Sequence, residues 1–257
     1  MAPQIFSIEG NIGTGKSTFL EHLKIHYKDN VRICFLAEPI DVWTSIVDEH
    51  GVNIIEKYYQ NQKRYAFSFQ MMAYISRLSS LKRVLEEDKY DVIIMERSLY
   101  TDCNVFAKML YDEKKIEEIE YAIYKKWYYE FIKEFPPITF VYLRAKPELS
   151  FERVLKRNRQ GETIPLEYLE NCHKYHDNWL LNDKNENNEN NDKNENNNST
   201  IITLDADIDI TNKPNTIKEN GYLVLKKDYK RFKFIYSKLM NNTDIVYYIQ
   251  NTNLLTI

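Results

Sequence analysis

The run Gly10-Asn11-Ile12-Gly13-Thr14-Gly15-Lys16-Ser17 matches the phosphate-loop pattern G-x-x-x-x-G-K-[ST] at every fixed position. The chemistry that fits this spacing is anion binding. Glycines let successive backbone N–H groups converge on phosphate oxygens, and a helix that starts at the end of the loop adds partial positive charge. Lys16 would reach the β- and γ-phosphates of a nucleoside triphosphate, and the Ser17 hydroxyl would ligate Mg²⁺. Two carboxylates are candidates for work beside such a loop: Glu38, ahead of Pro39, and Glu96, ahead of Arg97. A carboxylate near a transferring phosphoryl group acts as general base or holds Mg²⁺, directly or through water. Arg153, Arg157 and Arg159, with Lys156 among them, could aim several cations at one anion, and the guanidinium fork suits phosphate oxygens. The bland alternatives are a Gly-rich turn, two surface carboxylates at strand ends, and a solvated basic face.

The elements around these residues decide between the readings. Residues 4–9 (QIFSIE) form a short β-prone run and 18–27 a helix, so the glycine loop sits between a strand and a helix N-terminus. Residues 32–37 (RICFLA), 90–95 (YDVIIM), 138–143 (ITFVYL) and 200–205 (TIITLD) read as four further strands. Between them lie helical patterns at 53–87, with a break near 59–62, and at 100–111, 116–135, 147–158 and 165–181. Asp41 is a candidate cap for a short helix that contains Trp43. Residues 226–240 read as an amphipathic helix, while 206–225 and 241–257 carry no clear pattern.

Strands that alternate with helices predict an α/β fold, a five-stranded parallel sheet with helices on both faces. Ligands of such a sheet collect at the carboxyl ends of its strands, which places Glu38 and Glu96 near the phosphates. Residues 182–198 hold ten asparagines in 17 positions, the remainder being Asp, Glu and Lys. This composition predicts a disordered insertion within one domain spanning 1–257.

The chain has 257 residues, 43% hydrophobic and 28% charged, as expected of a globular protein with a substantial core. A net charge of −3 argues against a nucleic-acid polymer as partner. Three cysteines without metal-ligand spacing fit a reducing compartment. No apolar run reaches membrane-spanning length, and the first strand begins too early for a signal or transit peptide, so the expected location is the cytosol.

Taken together, Gly10–Ser17, Glu38-Pro39, Trp43, Tyr59, Phe69-Gln70, Arg77, Glu96-Arg97-Ser98, Asp102 and the Arg153/Arg157/Arg159 triple resemble the deoxynucleoside kinases. The type they resemble is the deoxycytidine, deoxyguanosine and deoxyadenosine kinases, and residues 163–170 (TIPLEYLE) look like the segment after the lid in that family. The likeness runs from about residue 4 to 181 and resumes at the fifth strand. It implies the phosphate-loop kinase fold and 5′-phosphorylation of a deoxynucleoside by ATP with Mg²⁺, serving nucleotide salvage. Under it Glu38 accepts the 5′-hydroxyl proton, Arg97 holds Glu38 and the 5′-oxygen, and Glu96 joins Ser17 on the Mg²⁺ side. Thr18 joins the ATP-binding loop, and the three arginines form a lid at about 153–163. Tyr59 and Glu162 hold the 3′-hydroxyl, and Trp43, Phe69, Gln70 and Phe106 line the substrate pocket with Arg77 and Asp102.

An acceptor-only Asp102 suits an exocyclic amino group, and a buried charged pair penalises a base that cannot match it. With the pair placed in the base pocket as the resemblance implies, deoxyadenosine and deoxyguanosine are the leading substrates, with deoxycytidine permitted and thymidine disfavoured. Family members pair as dimers through long helices, and the aromatic-rich stretches 61–87 and 116–135 could supply that interface.

Two competing readings are a phosphate-loop kinase for another small acceptor and a GTPase-like switch. An acidic Glu38 is awkward beside an anionic acceptor. The guanine-reading Asn-Lys-x-Asp of a switch has only an imperfect counterpart in Asn212-Lys213-Pro214-Asn215.

Overall fold

The computed structural model describes residues 2–159, 161–182, 200–207, 216–219 and 222–225. Its centre is β1 (Gln4–Glu9), buried along five of its six residues. β1 lies between β3 (Val92–Glu96) and β4 (Ile138–Arg144), with β2 (Ile33–Leu36) and β5 (Ile201–Asp205) outside them in the order β2-β3-β1-β4-β5. All four pairings are parallel, with Ile8 opposite Glu96 and Glu9 opposite Tyr142. The chain leaves β1 toward β2 and β3 on one side, then crosses to β4 and β5 on the other. Loops therefore diverge above the carboxyl end of β1 and open a crevice there.

Alternation along the buried strands feeds two cores. Phe6, Ile8, Ile94, Val141 and Leu143 pack with Phe19, Leu20 and Leu23 of α1 (Lys16–His26). Ile5, Ile93, Met95 and Phe140 face the other way and pack with Leu81 and Val84 of α4 (Gln62–Glu86) and Leu169 of α9 (Leu166–Asp177). Successive side chains point to opposite faces, so a strand covered on both sides is apolar at every position.

The remaining helices are α2 (Ile40–Ser45), α3 (Ile54–Gln60), α5 (Leu99–Thr101), α6 (Lys108–Asp112), α7 (Glu118–Phe131) and α8 (Pro147–Arg157). Helix α4 runs 25 residues, about 37 Å at 1.5 Å per residue, and carries one wall of the crevice. The break expected near 59–62 falls at Asn61, whose side chain accepts the Arg64 N–H.

Several local expectations need correction. Asp41 is not the cap of α2: Pro39 occupies that position and Asp41 lies in the first turn, where its charge complements the helix dipole. The helix expected at 100–111 is three pieces, α5, a π-helical turn over Asp102–Ala107, and α6. The helix expected to 181 ends as α9 at Asp177 and continues as a π turn over Asn178–Asn182. Within 206–225 the chain forms an antiparallel hairpin of β6 (Thr216–Glu219) and β7 (Tyr222–Leu225). The insertion expected at 182–198 and the helix expected at 226–240 lie outside the described residues, apart from Asn182.

Candidate active site

A cavity of about 1020 Å³ opens above the sheet, lined by the phosphate loop on one side and by α3, α4 and the π turn on the other. Its phosphate end is built where β1 runs into α1. Gly15 sits at φ 94° just ahead of the helix, and a Cβ there would meet no atom within 4 Å. The cradle is thus open on the side where an anion lies against backbone N–H groups. Gly13 is required for packing, since a Cβ would come within 2.3 Å of the Ser150 carbonyl oxygen on α8. Ile12 through Thr18 line the cavity, whereas Gly10 and Asn11 lie behind it. The Asn11 amide donates to the Leu169 carbonyl at 2.7 Å, tying the loop to α9.

Lys16 Nζ curls back to donate to the Asn11 carbonyl at 2.7 Å. Burial, followed by the nearby Arg97, pulls its pKa from the ordinary lysine value down to about 7 against the opposing pull of Glu96 and Glu38. Ser17 Oγ donates to Glu96 Oε1 at 2.8 Å, so a hydroxyl and a carboxylate from different elements meet in one oxygen-rich corner. That donor set suits Mg²⁺, which takes oxygen ligands from one or two protein groups and fills its octahedron with phosphates and water. Among the described residues no group of three or more His, Cys, Asp or Glu could hold a metal.

Across from the loop stands Glu38. It follows β2 by two residues and precedes Pro39, the residue ahead of α2. Its Oε1 accepts from Arg97 Nη1 at 2.6 Å and from Arg77 Nη2 at 3.2 Å. Burial alone would raise the Glu38 pKa, but Arg97, Arg77 and Lys16 outweigh it and hold the carboxyl at about 2. Glu38 is therefore ionised at every physiological pH.

Arg97 reaches Glu38 from a left-handed backbone, at φ 60°. For a residue with a Cβ this conformation costs about 1–3 kcal/mol and persists only where its surroundings impose it. The Arg97 N–H donates to the Ile8 carbonyl at 3.0 Å, and the guanidinium lies 5.1 Å from the Phe106 ring centroid. Its Nε and Nη2 are buried without a protein partner among the described residues, which leaves the N–H groups of two nitrogens for oxygen ligands.

The far end is set by α4 and the π turn. Arg77 and Asp102, unremarkable in the sequence, form a buried pair with Nε–Oδ2 at 3.0 Å and Nη2–Oδ1 at 3.4 Å. Arg77 Nη1 also donates to the Glu96 carbonyl at 2.8 Å, so one guanidinium joins the ends of β2 and β3 to the pocket wall. Burial raises the Asp102 pKa, and Arg77 opposes it. Gln70 lies two turns before Arg77 on α4 and is also buried. Trp43 stands edge-on to Phe69 at 5.5 Å and donates its indole N–H to Ser76 Oγ at 2.8 Å, fixing an aromatic side wall.

The basic cluster occupies the third side. Arg153 Nη2 donates to the Ala206 carbonyl at 3.0 Å. Arg157 and Arg159 both pair with Glu162, the second at 3.8 Å. Tyr59, Arg153, Arg157, Arg159 and Glu162 all line the cavity, as do Trp43, Phe69, Gln70, Arg77, Glu96, Arg97, Asp102 and Phe106.

The sequence reading missed Tyr58 and Tyr168, whose hydroxyls meet at 3.0 Å beside the cavity. It missed His22 as well, one helical turn beyond Thr18. It also missed Glu9, which is fully buried and accepts from the hydroxyls of Ser7, Ser98 and Thr101. An acid in a run of β-prone residues beside the glycine loop was the available signal for Glu9; for the tyrosines there was none.

A sequence model described as deoxynucleoside kinase matches residues 6–227. The rat deoxycytidine kinase is 32% identical over 238 residues, covering 83% of this chain and 87% of the relative. The mitochondrial deoxyguanosine kinase of Xenopus laevis is 34% identical over 193 residues, covering 68% of this chain and 72% of its own. A probable deoxycytidine kinase of Fowlpox virus (strain NVSL) is 32% identical over 228 residues, covering 87% and 88%.

Proposed function

The chain belongs to the deoxynucleoside kinase family, and we propose that it transfers the γ-phosphate of ATP, with Mg²⁺, to the 5′-hydroxyl of a purine deoxynucleoside. The observation that carries this reading is Glu38, an ionised carboxylate held by two guanidiniums in the cavity that also contains Lys16 and Ser17. A neutral hydroxyl is the acceptor that a fixed carboxylate can orient and deprotonate; an anionic acceptor would be repelled.

In this reading the work divides among named groups. Glu38 takes the hydrogen bond of the 5′-hydroxyl and receives its proton as the oxygen attacks. Arg97 keeps Glu38 ionised and offers its remaining donors to oxygens of the acceptor and the transferred phosphoryl group. Lys16 and the N–H groups of the loop bind the β- and γ-phosphates. Ser17 and Glu96 would hold Mg²⁺, which neutralises phosphate charge when bound. Arg153, Arg157 and Arg159 form the lid that closes over the phosphates and excludes water. Tyr59 and Glu162 take the 3′-hydroxyl.

The base is read by Gln70 and the Arg77–Asp102 pair. Asp102 accepts from an exocyclic amino group, and thymine offers none, so deoxyadenosine and deoxyguanosine lead. A second reading, deoxycytidine, is favoured by the names of two of the relatives and by the exocyclic amino group that cytosine shares with the purines. An assay with ATP and Mg²⁺ against all four deoxynucleosides, with adenosine and guanosine as ribose controls, separates these readings. Preference for a purine deoxynucleoside supports the first and preference for deoxycytidine the second, while turnover of none sinks the acceptor assignment.

We place the enzyme in the cytosol as a homodimer acting in nucleotide salvage. Helices α4 and α7 pack through Tyr74 and Tyr124 and leave Ile119, Ile123 and Trp127 exposed as an apolar stripe along α7, with Ile75 exposed on α4. No helix among the described residues is long and apolar enough to cross a membrane. Cell fractionation tests the location: enzyme recovered with mitochondria would overturn it.

A further inference from the structure

Glu9 is the last residue of β1 and is followed directly by Gly10, the first residue of the phosphate loop. Its side chain lies outside the cavity, yet it holds a set of contacts that no packing role requires. Oε1 accepts from Ser7 Oγ at 2.6 Å and from Ser98 Oγ at 2.7 Å, and Oε2 accepts from Thr101 Oγ1. Ser98 follows Arg97 in the chain, and Ser98 and Thr101 form the capping box that starts α5. The Arg97 N–H donates to Ile8, the neighbour of Glu9, at 3.0 Å. The left-handed turn at Arg97 is thus gripped from two adjacent residues of β1, by a backbone carbonyl at Ile8 and by a carboxylate at Glu9.

We infer that Glu9 is a positioning residue for phosphoryl transfer, fixing the Arg97 guanidinium, and through it the Glu38 carboxylate, relative to the phosphate loop. The inference rests on the kinase reading above. The physical reason is connectivity. The phosphate loop begins one bond beyond Glu9, and the strained turn that aims Arg97 ends at the hydroxyls Glu9 holds. One buried carboxylate therefore links the two halves of the reaction, donor phosphate and acceptor base, without touching either. An acceptor-only group is needed for this. Thr101 Oγ1 accepts the Ser98 N–H at 3.2 Å and donates to Glu9, a far nearer acceptor than Ser98 Oγ at 3.4 Å. In either orientation a glutamine amide sets a donor against a hydroxyl oxygen that already accepts a backbone N–H, Thr101 Oγ1 from Ser98 or Ser98 Oγ from Thr101, and one hydroxyl loses its carboxylate acceptor.

The test is Glu9→Gln, which preserves shape, measured alone and combined with Arg97→Ala. The readouts are kcat for the preferred deoxynucleoside and affinity for a fluorescent ATP analogue. Misplacement of a reacting group by about 1 Å costs about 10²-fold. Glu9→Gln is expected to lower kcat about 10–100-fold with donor affinity changed less than about twofold. In the Arg97→Ala background, where there is no guanidinium left to place, the same change should cost less than about twofold, because residues acting as a unit are not additive. Equal losses in both backgrounds, or an unchanged kcat, overturn the inference.

If Glu9→Gln does not fold, Ser98→Ala removes one grip and should show the same non-additivity with a smaller loss. If the wild-type enzyme phosphorylates no deoxynucleoside, the acceptor reading fails. A crystal structure of Glu9→Gln then decides this inference on its own terms: an intact Arg97–Glu38 contact overturns it and a broken one supports it.

Discussion

Arg97 Nη1 and Glu38 Oε1 meet at 2.6 Å, joining a residue just beyond β3 to one just beyond β2. Parallel neighbours end at the same edge of a sheet, so two residues 59 positions apart become hydrogen-bond partners there. The contact keeps the carboxylate charged and leaves it exposed enough to meet an acceptor.

Glu38→Gln removes the carboxylate proposed to take the 5′-hydroxyl proton and keeps the side chain's shape. We expect kcat to fall about 10²–10⁴-fold, the usual weight of general-base catalysis, with ATP affinity within about threefold of wild type. Unchanged turnover would rule out Glu38 as the base.

Lys16, lowered to about 7 by burial and Arg97, loses its proton in the ligand-free protein as pH rises through that value. A polyphosphate at Lys16 favours the charged form, so ATP binding raises the pKa and takes up a proton above pH 7. Calorimetric titration at pH 8 in buffers of differing ionisation enthalpy should show net uptake and an affinity that declines toward high pH. Proton release, or a buffer-independent heat, contradicts the assignment.

Asp102→Ala should lower kcat/KM for amino-bearing bases about 10²–10³-fold and narrow the discrimination against thymidine. It also takes away the two-point partner of Arg77, leaving that guanidinium only Glu38 and the Glu96 carbonyl, and breaking a buried pair costs up to about 3–5 kcal/mol, so the melting temperature should drop. Replacing both, Arg77→Met with Asp102→Ala, should recover much of the stability and none of the base preference. A double variant that still prefers amino-bearing bases would move recognition to Gln70.

Trp127 is 47% exposed and stacks on Phe131 at 5.9 Å, in the apolar stripe along α7. Trp127→Glu should convert a dimer to a monomer in sedimentation velocity while the thermal melt stays close to wild type. A wild-type protein that sediments as a monomer, or a variant that remains dimeric, removes α7 from the interface.

The sheet was legible because strands covered on both faces have apolar runs, as in Val92–Met95, and because the glycine loop identifies β1 and α1 together. The site was legible as far as strand ends predict it: Glu38 and Glu96 follow from topology. Arg77 and Asp102 do not, since neither residue's sequence neighbourhood shows that a helix and a π turn bury them against each other. The hairpin was absent from the expectations although Asn220-Gly221, between β6 and β7, is a strong two-residue hairpin signal. Glu9 could be seen as an oddity in a strand, but its three hydroxyl partners come from both sides of the loop it precedes.

The π turn over Asp102–Ala107 places Asp102 and Phe106 on one side of the helix, and both line the pocket. Such a turn accommodates one residue more than an α turn. With the same residues wound as ordinary α-helix, Asp102 would turn by about 100° relative to α6, whereas deleting one of Cys103, Asn104 or Val105 would close the wide turn with α5 and α6 still in phase. The pocket floor is therefore specified by residue count as well as residue type. A one-residue deletion there should draw Asp102 and Phe106 closer along the wall and weaken base selection, in a chain whose every remaining residue is wild type.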